Sequence, residues 1–387
     1  MTERRARLAL RHRLAPGAHA ADPVDAARSL VCLHATDPAT VYLSARARID
    51  EMKVADLDRE LFEKRSLVKH LSMRRTLFVF PRETLAIAQA GASNRVAESE
   101  RRRLIKEVDK AALHPDGEAW LGKASAAVLK ALAGGREASS SELREEIPLL
   151  EGAFEFGKGK SWGGKVSVGP QVLTVLSATG RIVRASNNGS WTSSRPRWAS
   201  MEGWLGDPLD PPPAEDGVAG LVERWLRAFG PGSVADIKWW LGSTVGAVKR
   251  ALQDVKAVEV EMEGGAPGYL LPDDLEPIAA PEPFAALLPP LDPTTMGWYE
   301  RDWYLGPYKR ELFDTTGNGG PTVWWDGRIV GGWRQDDAGG VELQMLEDPG
   351  RDARAAIEAE AARLTDWFDG TRVLPRFPSP LSKERAS

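Results

Sequence analysis

Three times along this chain, amphipathic helical stretches give way to two short β segments joined by a tight turn. That repeat limits the fold more than any other feature. In the first copy Asp22-Pro23 and Asp37-Pro38 each read as an N-cap with proline at the first helical position. They open helices that run to Leu33 and, through Val41, Tyr42 and Ala45, to Ile49. Val54, Leu57 and Leu61 mark another helix, and Ser66 to Phe80 reads as two strands around Arg74-Arg75. In the second copy Trp120, Ala124, Val128 and Leu132 form a stripe, Ser139 with Glu142 is a capping box, and Gln171 to Ala178 is a third helix. Arg181 to Ser186 and Ser190 to Ser194 then flank the turn signal Asn187-Asn188-Gly189.

The third copy is smaller. Leu221, Trp225 and Phe229 share one face, Ser233 caps a helix through Trp240, and Ser243 starts another through Val255. Val258 to Met262 alternates strictly and turns at Gly264-Gly265 toward Tyr269. Helices carrying a two-stranded ribbon are the winged-helix arrangement. The remainder is mostly β: Asp326-Gly327 is a type I′ hairpin signal, Val341 to Leu346 is a strand, and Arg351 to Phe368 is one helix. The sequence therefore predicts an α+β chain with three tandem winged-helix units over 1–113, 114–206 and 214–272 and a small C-terminal β-barrel over 273–387. The proline-rich stretch 207–215 is the linker after the second unit.

A chain of 387 residues is too long for one ordinary core, consistent with several units. Its formal net charge of -4 hides a strong asymmetry. Residues 1–110 hold 22 Lys+Arg against 15 Asp+Glu, and residues 151–200 hold 7 against 2, whereas residues 201–387 hold 18 against 32. Two basic segments beside an acidic half suit a one-sided polyanion site. Cys32 is the only cysteine, which excludes an internal disulfide or a cysteine-based zinc site. The five histidines, His12, His19, His34, His70 and His114, show no metal-ligand spacing. No stretch reads as a membrane span or a signal peptide, and no heptad seam offers a dimer. A cytoplasmic, nucleoid-associated monomer without metal or cofactor is the expectation.

One short stretch concentrates chemistry. In Leu33-His34-Ala35-Thr36-Asp37-Pro38 an imidazole, a hydroxyl and a carboxylate converge between two helix ends, where free backbone N–H groups and a positive dipole end point. Asp37 before Pro38 is also a plain N-cap. Arg74 and Arg75 at the first turn, and Arg181, Arg184, Arg195 and Arg197 with Trp191 and Trp198 on the second hairpin, have the basic-aromatic mix that contacts a DNA backbone.

The chain resembles the winged-helix DNA glycosylase family typified by AlkZ and YcaQ. The resemblance covers most of the chain. It rests on Leu33 to Pro38 with Arg46 and Arg48, on Met73-Arg74-Arg75-Thr76-Leu77, and on Phe229-Gly230-Pro231 with Asp236 and Trp240. It rests equally on Leu287-Leu288-Pro289 with Asp292, and on Pro321-Thr322-Val323 with Asp326-Gly327-Arg328 and Gly332-Trp333-Arg334. The resemblance implies a DNA channel and metal-free hydrolysis of the N-glycosidic bond of bulky N7-alkylated purines in double-stranded DNA. The family's Gln-apolar-Gln or Gln-apolar-Asp motif reads here as His34-Ala35-Thr36, and its Arg-Gly-Thr-Leu-His as Arg74-Arg75-Thr76-Leu77-Phe78. Two functions follow: a monofunctional glycosylase in DNA repair using His34, Thr36 and Asp37, or a catalytically inactive DNA-binding protein acting as a lesion sensor or transcriptional regulator.

Overall fold

The computed structural model describes residues 2–157 and 163–383. The chain begins with α1 (Glu3–Arg11) and α2 (Pro23–Ser29), whose Asp22 cap accepts from the amides of Val24 and Asp25. The strand β1 (Leu33–His34) and helices α3 (Pro38–Arg46) and α4 (Val54–Asp58) follow. The strands β2 (Leu67–Ser72) and β3 (Thr76–Pro81) form the first ribbon, turning at Arg74 and Arg75, both with left-handed φ. Helices α5 (Arg82–Ala88) and α6 (Asn94–Lys110) lead to the second copy: α7 (Gly117–Ala131), α8 (Ser140–Glu146), β4 (Ala153–Phe156), β5 (Gly164–Ser167) and α9 (Val168–Ala178). The ribbon of β6 (Ile182–Asn187) with β7 (Pro196–Ser200), and the short α10 (Met201–Leu205), complete it. The third copy comprises α11 (Ala214–Phe229), α12 (Val234–Leu241), α13 (Val245–Asp254) and the ribbon of β8 (Val258–Glu261) with β9 (Pro267–Leu270).

The three ribbons share a detail that positions the site. Each one's second strand pairs with a short segment lying just before a capped helix. Leu33 and His34 pair with Val79 and Phe78 on β3 ahead of Asp37, the cap of α3. Ala138 bridges Trp198 on β7 ahead of Ser139, the cap of α8. Gly232 bridges Tyr269 on β9 ahead of Ser233, the cap of α12.

The C-terminal segment holds β10 (Ala285–Leu288), two one-turn helices α14 (Asp302–Leu305) and α15 (Lys309–Leu312), β11 (Thr322–Trp325), β12 (Arg328–Gln335), β13 (Val341–Met345) and α16 (Arg351–Phe368). Its strands form an open antiparallel sheet in the order β10-β11-β12-β13, not a closed barrel. The reason is the helix: Ile357, Ala361, Leu364 and Phe368 of α16 pack with Leu287, Val323, Val330 and Trp333, so one face is covered without closure. The hairpin at Asp326-Gly327 forms as expected, with φ of 50° and 79°.

Three local expectations are corrected. The helix from Pro23 stops at Ser29, Val31 takes φ of 67°, and His34 lies on a strand rather than at a helix end. The free edge of β3 supplies backbone partners that outweigh the helical pattern of the stretch. Ser190 to Ser194 is loop, and the second strand starts only at Pro196. Here the Asn187 side chain fills the loop, donating to the carbonyls of Ser190 and Ser193 and accepting from the Arg195 amide. Helix α13 is capped by Thr244, not begun by Ser243, because the Ser243 amide returns to Lys238 O at the end of α12. The hairpin of β4 and β5 has no counterpart in the sequence reading.

Two large cores result. One joins α6 to the helices of the second copy, with Leu104, Trp120, Val128, Leu143, Val172, Leu176 and Trp198, while Val183, Ala199 and Trp204 of that copy belong to the other. The first and third copies share theirs with the C-terminal sheet: Leu33, Phe80, Trp225, Phe229, Trp240, Trp298 and Trp324 belong to one continuous cluster.

Candidate active site

His34 sits at the meeting point of those shared elements. Its ring lies edge-on to its cross-strand neighbour Phe78, centroids 5.4 Å apart. It is buried, and its Nδ1 accepts from the Thr36 amide at 3.4 Å. With Nδ1 accepting, the proton of the neutral ring sits on Nε2. Burial, and the nearby Arg74 guanidinium, push the imidazole pKa down to about 3, against the pull of Asp292. The ring is therefore neutral at physiological pH and presents an N–H.

Thr36 is half-buried, and its carbonyl accepts from Arg376 Nη1 at 3.2 Å. Among the described residues its hydroxyl has no hydrogen-bond partner. Asp37 is buried and caps α3: Oδ1 accepts from the Ala39 amide at 3.2 Å, and Oδ2 accepts from the Arg376 amide at 3.0 Å. Burial raises its carboxyl pKa, while those two amides and the Arg376 charge oppose the rise. The tail around Arg376 thus closes over the corner.

The C-terminal segment also fixes α3 from behind. Thr40 Oγ1 donates to Pro290 O at 2.8 Å, and Ser44 Oγ donates to Asp292 at 2.6 Å. Arg48 grips both oxygens of Asp292 at 2.9 and 2.7 Å and donates to Thr294 at 2.7 Å, all fully buried. Arg46 pairs with Glu360 of α16. A buried ion pair contributes geometry more dependably than stability. Arg46, Arg48 and Asp292 therefore act as rivets between the corner and the C-terminal sheet.

The arginines marked in the sequence divide into different surroundings. Arg74 places its guanidinium 4.0 Å from the Trp239 ring, and Arg301 stacks on the same indole at 4.9 Å. Arg75 pairs with Glu100 at 2.9 Å. Arg181 is exposed beside Gly134, Gly135 and Ser200, away from the ribbon tip, and Arg195 is exposed in the loop. Arg197 donates to Glu137 O at 2.6 Å and pairs with Glu142 at 3.1 Å, so it is tied to α8. Arg184 alone of the four enters the cleft beside the corner, with Ala35, Pro38, Tyr42, Lys69 and Trp191.

Sequence reasoning passed over Lys69, Trp239, Arg301 and Arg376. Lys69 carried a signal, as the one charge inside the apolar run Leu67-Val68-Lys69-His70-Leu71. Arg376 carried none. Among the described residues no group of three or more His, Cys, Asp or Glu is arranged to hold a metal ion. No helix among the described residues is long and apolar enough to cross a membrane.

Comparison with known proteins completes the description. The family described as DNA glycosylase AlkZ-like matches residues 27–367. Among solved structures, the Streptomyces sahachiroi DNA glycosylase AlkZ superposes with a TM-score of 0.74 at 19% identity. That alignment covers 96% of this chain and 98% of that one, and shows a shared fold. No curated protein sequence matches the chain.

Proposed function

This chain belongs to the AlkZ-like DNA glycosylase family, and from that premise we propose that it hydrolyses the N-glycosidic bond of N7-alkylated purines in double-stranded DNA at the His34 corner. The observation that carries the reading is the neutral, N–H-bearing imidazole beside the unpaired Thr36 hydroxyl. An N7-alkylated purine is already cationic and departs as a neutral base. The enzyme's task is to keep a water in place and to support an oxocarbenium-like sugar. A protonated imidazole would repel that substrate, and one held near pKa 3 does not. His34 Nε2–H and Thr36 Oγ1 hold the water between them; as its oxygen bonds to C1′ and the glycosidic C–N bond breaks, the base leaves neutral and the water's proton passes to solvent. Asp37 supplies negative charge beside the sugar through the lone pairs its two amide contacts leave free.

The scaffold in this proposal is three tandem winged-helix units, 1–113, 114–206 and 214–272, followed by the sheet segment 273–387. The thrice-repeated order of short strand, capped helix and ribbon supports it. Backbone contacts fall to Arg74, Arg75, Arg181, Arg184, Arg195 and Arg197, acting in a monomer. The experiment is incubation with duplex DNA carrying N7-methylguanine or a bulky N7 adduct, with released base measured. Release above the spontaneous rate is expected. Tight DNA binding with no release, across several N7 adducts, would assign the chain to lesion sensing without catalysis.

A further inference from the structure

The cleft under the second hairpin gathers positive charge from three distant parts of the chain. Lys69 of β2 and Arg184 of β6 line it, and Arg376 of the C-terminal tail stands beside it, donating to Thr36 O. Lys69 and Arg184 line the cleft together with the serines Ser193 and Ser194 and the corner residues Ala35 and Pro38. Both keep part of their surface open to the cleft while protein surrounds them. Among the described residues none of the three cations has an ion-pair partner within 4 Å, and Arg184 Nε has no hydrogen-bond partner at all. The nearest carboxylates are committed elsewhere. Asp58 accepts from Tyr42 OH at 2.6 Å, and Asp37 caps α3.

Burial, and then the Arg184 charge, push the Lys69 ammonium down to about 8, with Asp58 opposing; burial, and then the Arg376 charge, lower Arg184 from its usual value. Converging, unneutralised, partly desolvated cations are costly in the free protein. They are retained where a multiply charged oxyanion arrives to neutralise them.

We infer that Lys69, Arg184 and Arg376 form a seat for one backbone phosphate of the DNA strand that crosses the His34 corner. The ligand is a phosphodiester lying at the cleft mouth, because the cleft itself, at about 20 Å³, holds little more than one water. A non-bridging oxygen reaches in toward Lys69 Nζ and the Arg184 guanidinium, the Ser193 and Ser194 hydroxyls stand at its edge, and Arg376 closes the rim. Because Ala35 and Pro38 line the cleft, a phosphate seated there anchors the strand beside the corner. The inference rests on the reading of this chain as a DNA-binding enzyme and adds where the strand is anchored.

A salt titration of duplex binding by the full-length protein is the test. The slope of log affinity against log salt changes by about 0.9 for each phosphate neutralised. Lys69→Gln, Arg184→Gln and the double variant should each weaken binding about tenfold and flatten the slope by about 0.9. The double variant should lose no more slope than either single one, because both charges serve one phosphate. Lys69→Met should leave the melting temperature of the free protein unchanged or raise it, since one of three repelling charges is gone.

A second arm needs no variant to fold. With wild-type protein, a single neutral methylphosphonate moved along the strand near the lesion should weaken binding at one linkage only. A wild-type slope in the variants, a lower melting temperature in Lys69→Met with unchanged DNA affinity, or a scan with no sensitive linkage each overturns the seat. Base release at saturating DNA keeps the two readings apart. Release with an unchanged slope removes the seat and leaves the enzyme. A flattened slope without release keeps the seat and makes the chain a binder.

Discussion

The corner at His34 and its counterpart at Gly232 are built alike and used differently. In the third copy the segment bridging to the ribbon passes directly into the cap: Gly232 pairs with Tyr269 and Ser233 is the N-cap. A Cβ at Gly232 would lie 2.2 Å from the Trp225 ring, so this corner is packed shut. Its acid, Asp236, accepts from Ser233 Oγ and from the amides of Ser233, Tyr299 and Glu300, with Arg4 at 3.7 Å. In the first copy Ala35 and Thr36 stand between the bridging pair and the cap. The added length leaves a buried imidazole and, among the described residues, an unpaired hydroxyl next to the cleft that Ala35 and Pro38 line. One turn geometry thus makes a joint when its cap and its acid are satisfied, and a candidate reaction site when an imidazole nitrogen and a hydroxyl are left over.

Substitutions that remove this difference carry the largest expected effect. His34→Ala should lower base release by about 10²–10⁴-fold, the range for a positioned catalytic group, with DNA affinity and melting temperature near wild type. His34→Gln should retain much of the activity, because an amide also offers a neutral N–H. Loss as complete as in His34→Ala would mean that the ring nitrogen acts as a base. Equal release by wild type and His34→Ala would remove the corner from the chemistry.

The third corner should respond in stability instead. Asp236→Ala strands buried donors at about 1–3 kcal/mol each, so thermal unfolding should fall by many degrees while the folded fraction keeps its rate. A selective loss of rate at unchanged stability would break the distinction between joint and site.

Acid titration sharpens the same contrast. His12, His34 and His70 are held by burial at about 3, 3 and 4, whereas in an unfolded chain each titrates near 6.5. Between those limits the unfolded state binds more protons, so stability is lost as pH falls below about 6.5 and is flat in these groups above it. The melting temperature should drop steadily from pH 6.5 toward 4, and less steeply in His34→Gln. An inflection in base release near pH 6.5 that His34→Gln abolishes would contradict a neutral ring.

The smallest effects separate the two caps. Ser233→Ala and Asp37→Ala should each cost about 0.5–2 kcal/mol of stability. Asp37→Ala should in addition reduce base release measured on the folded fraction, because its charge faces the sugar. If both caps change stability alone, Asp37 is a cap and nothing more.

Much of the scaffold was legible because its signals are local. Asp22, Asp37, Ser139 and Ser233 cap helices where the sequence placed caps, and Asp326-Gly327 turns as its composition demands. The strand at Leu33-His34 was not legible, since two residues become a strand only when β3 offers an edge. The six marked arginines looked equivalent in the sequence. The fold gave Arg197 to Glu142, Arg75 to Glu100 and Arg74 to Trp239, and turned Arg184 toward the corner. No spacing rule brings Asp292 to Arg48 or the Arg184 charge to Lys69 across more than a hundred residues.

The sequence by itself determined the caps, turns and apolar stripes, and with them the repeated helix-and-ribbon order. Those features arise from contacts within about four residues, whose energies do not depend on the rest of the chain. Tertiary structure decided which way His34 faces, that its ring is neutral, and which cations, among the described residues, lack an ion-pair partner. These properties depend on desolvation and on charges brought together from the two ends of the chain, and neither exists until the segments have packed.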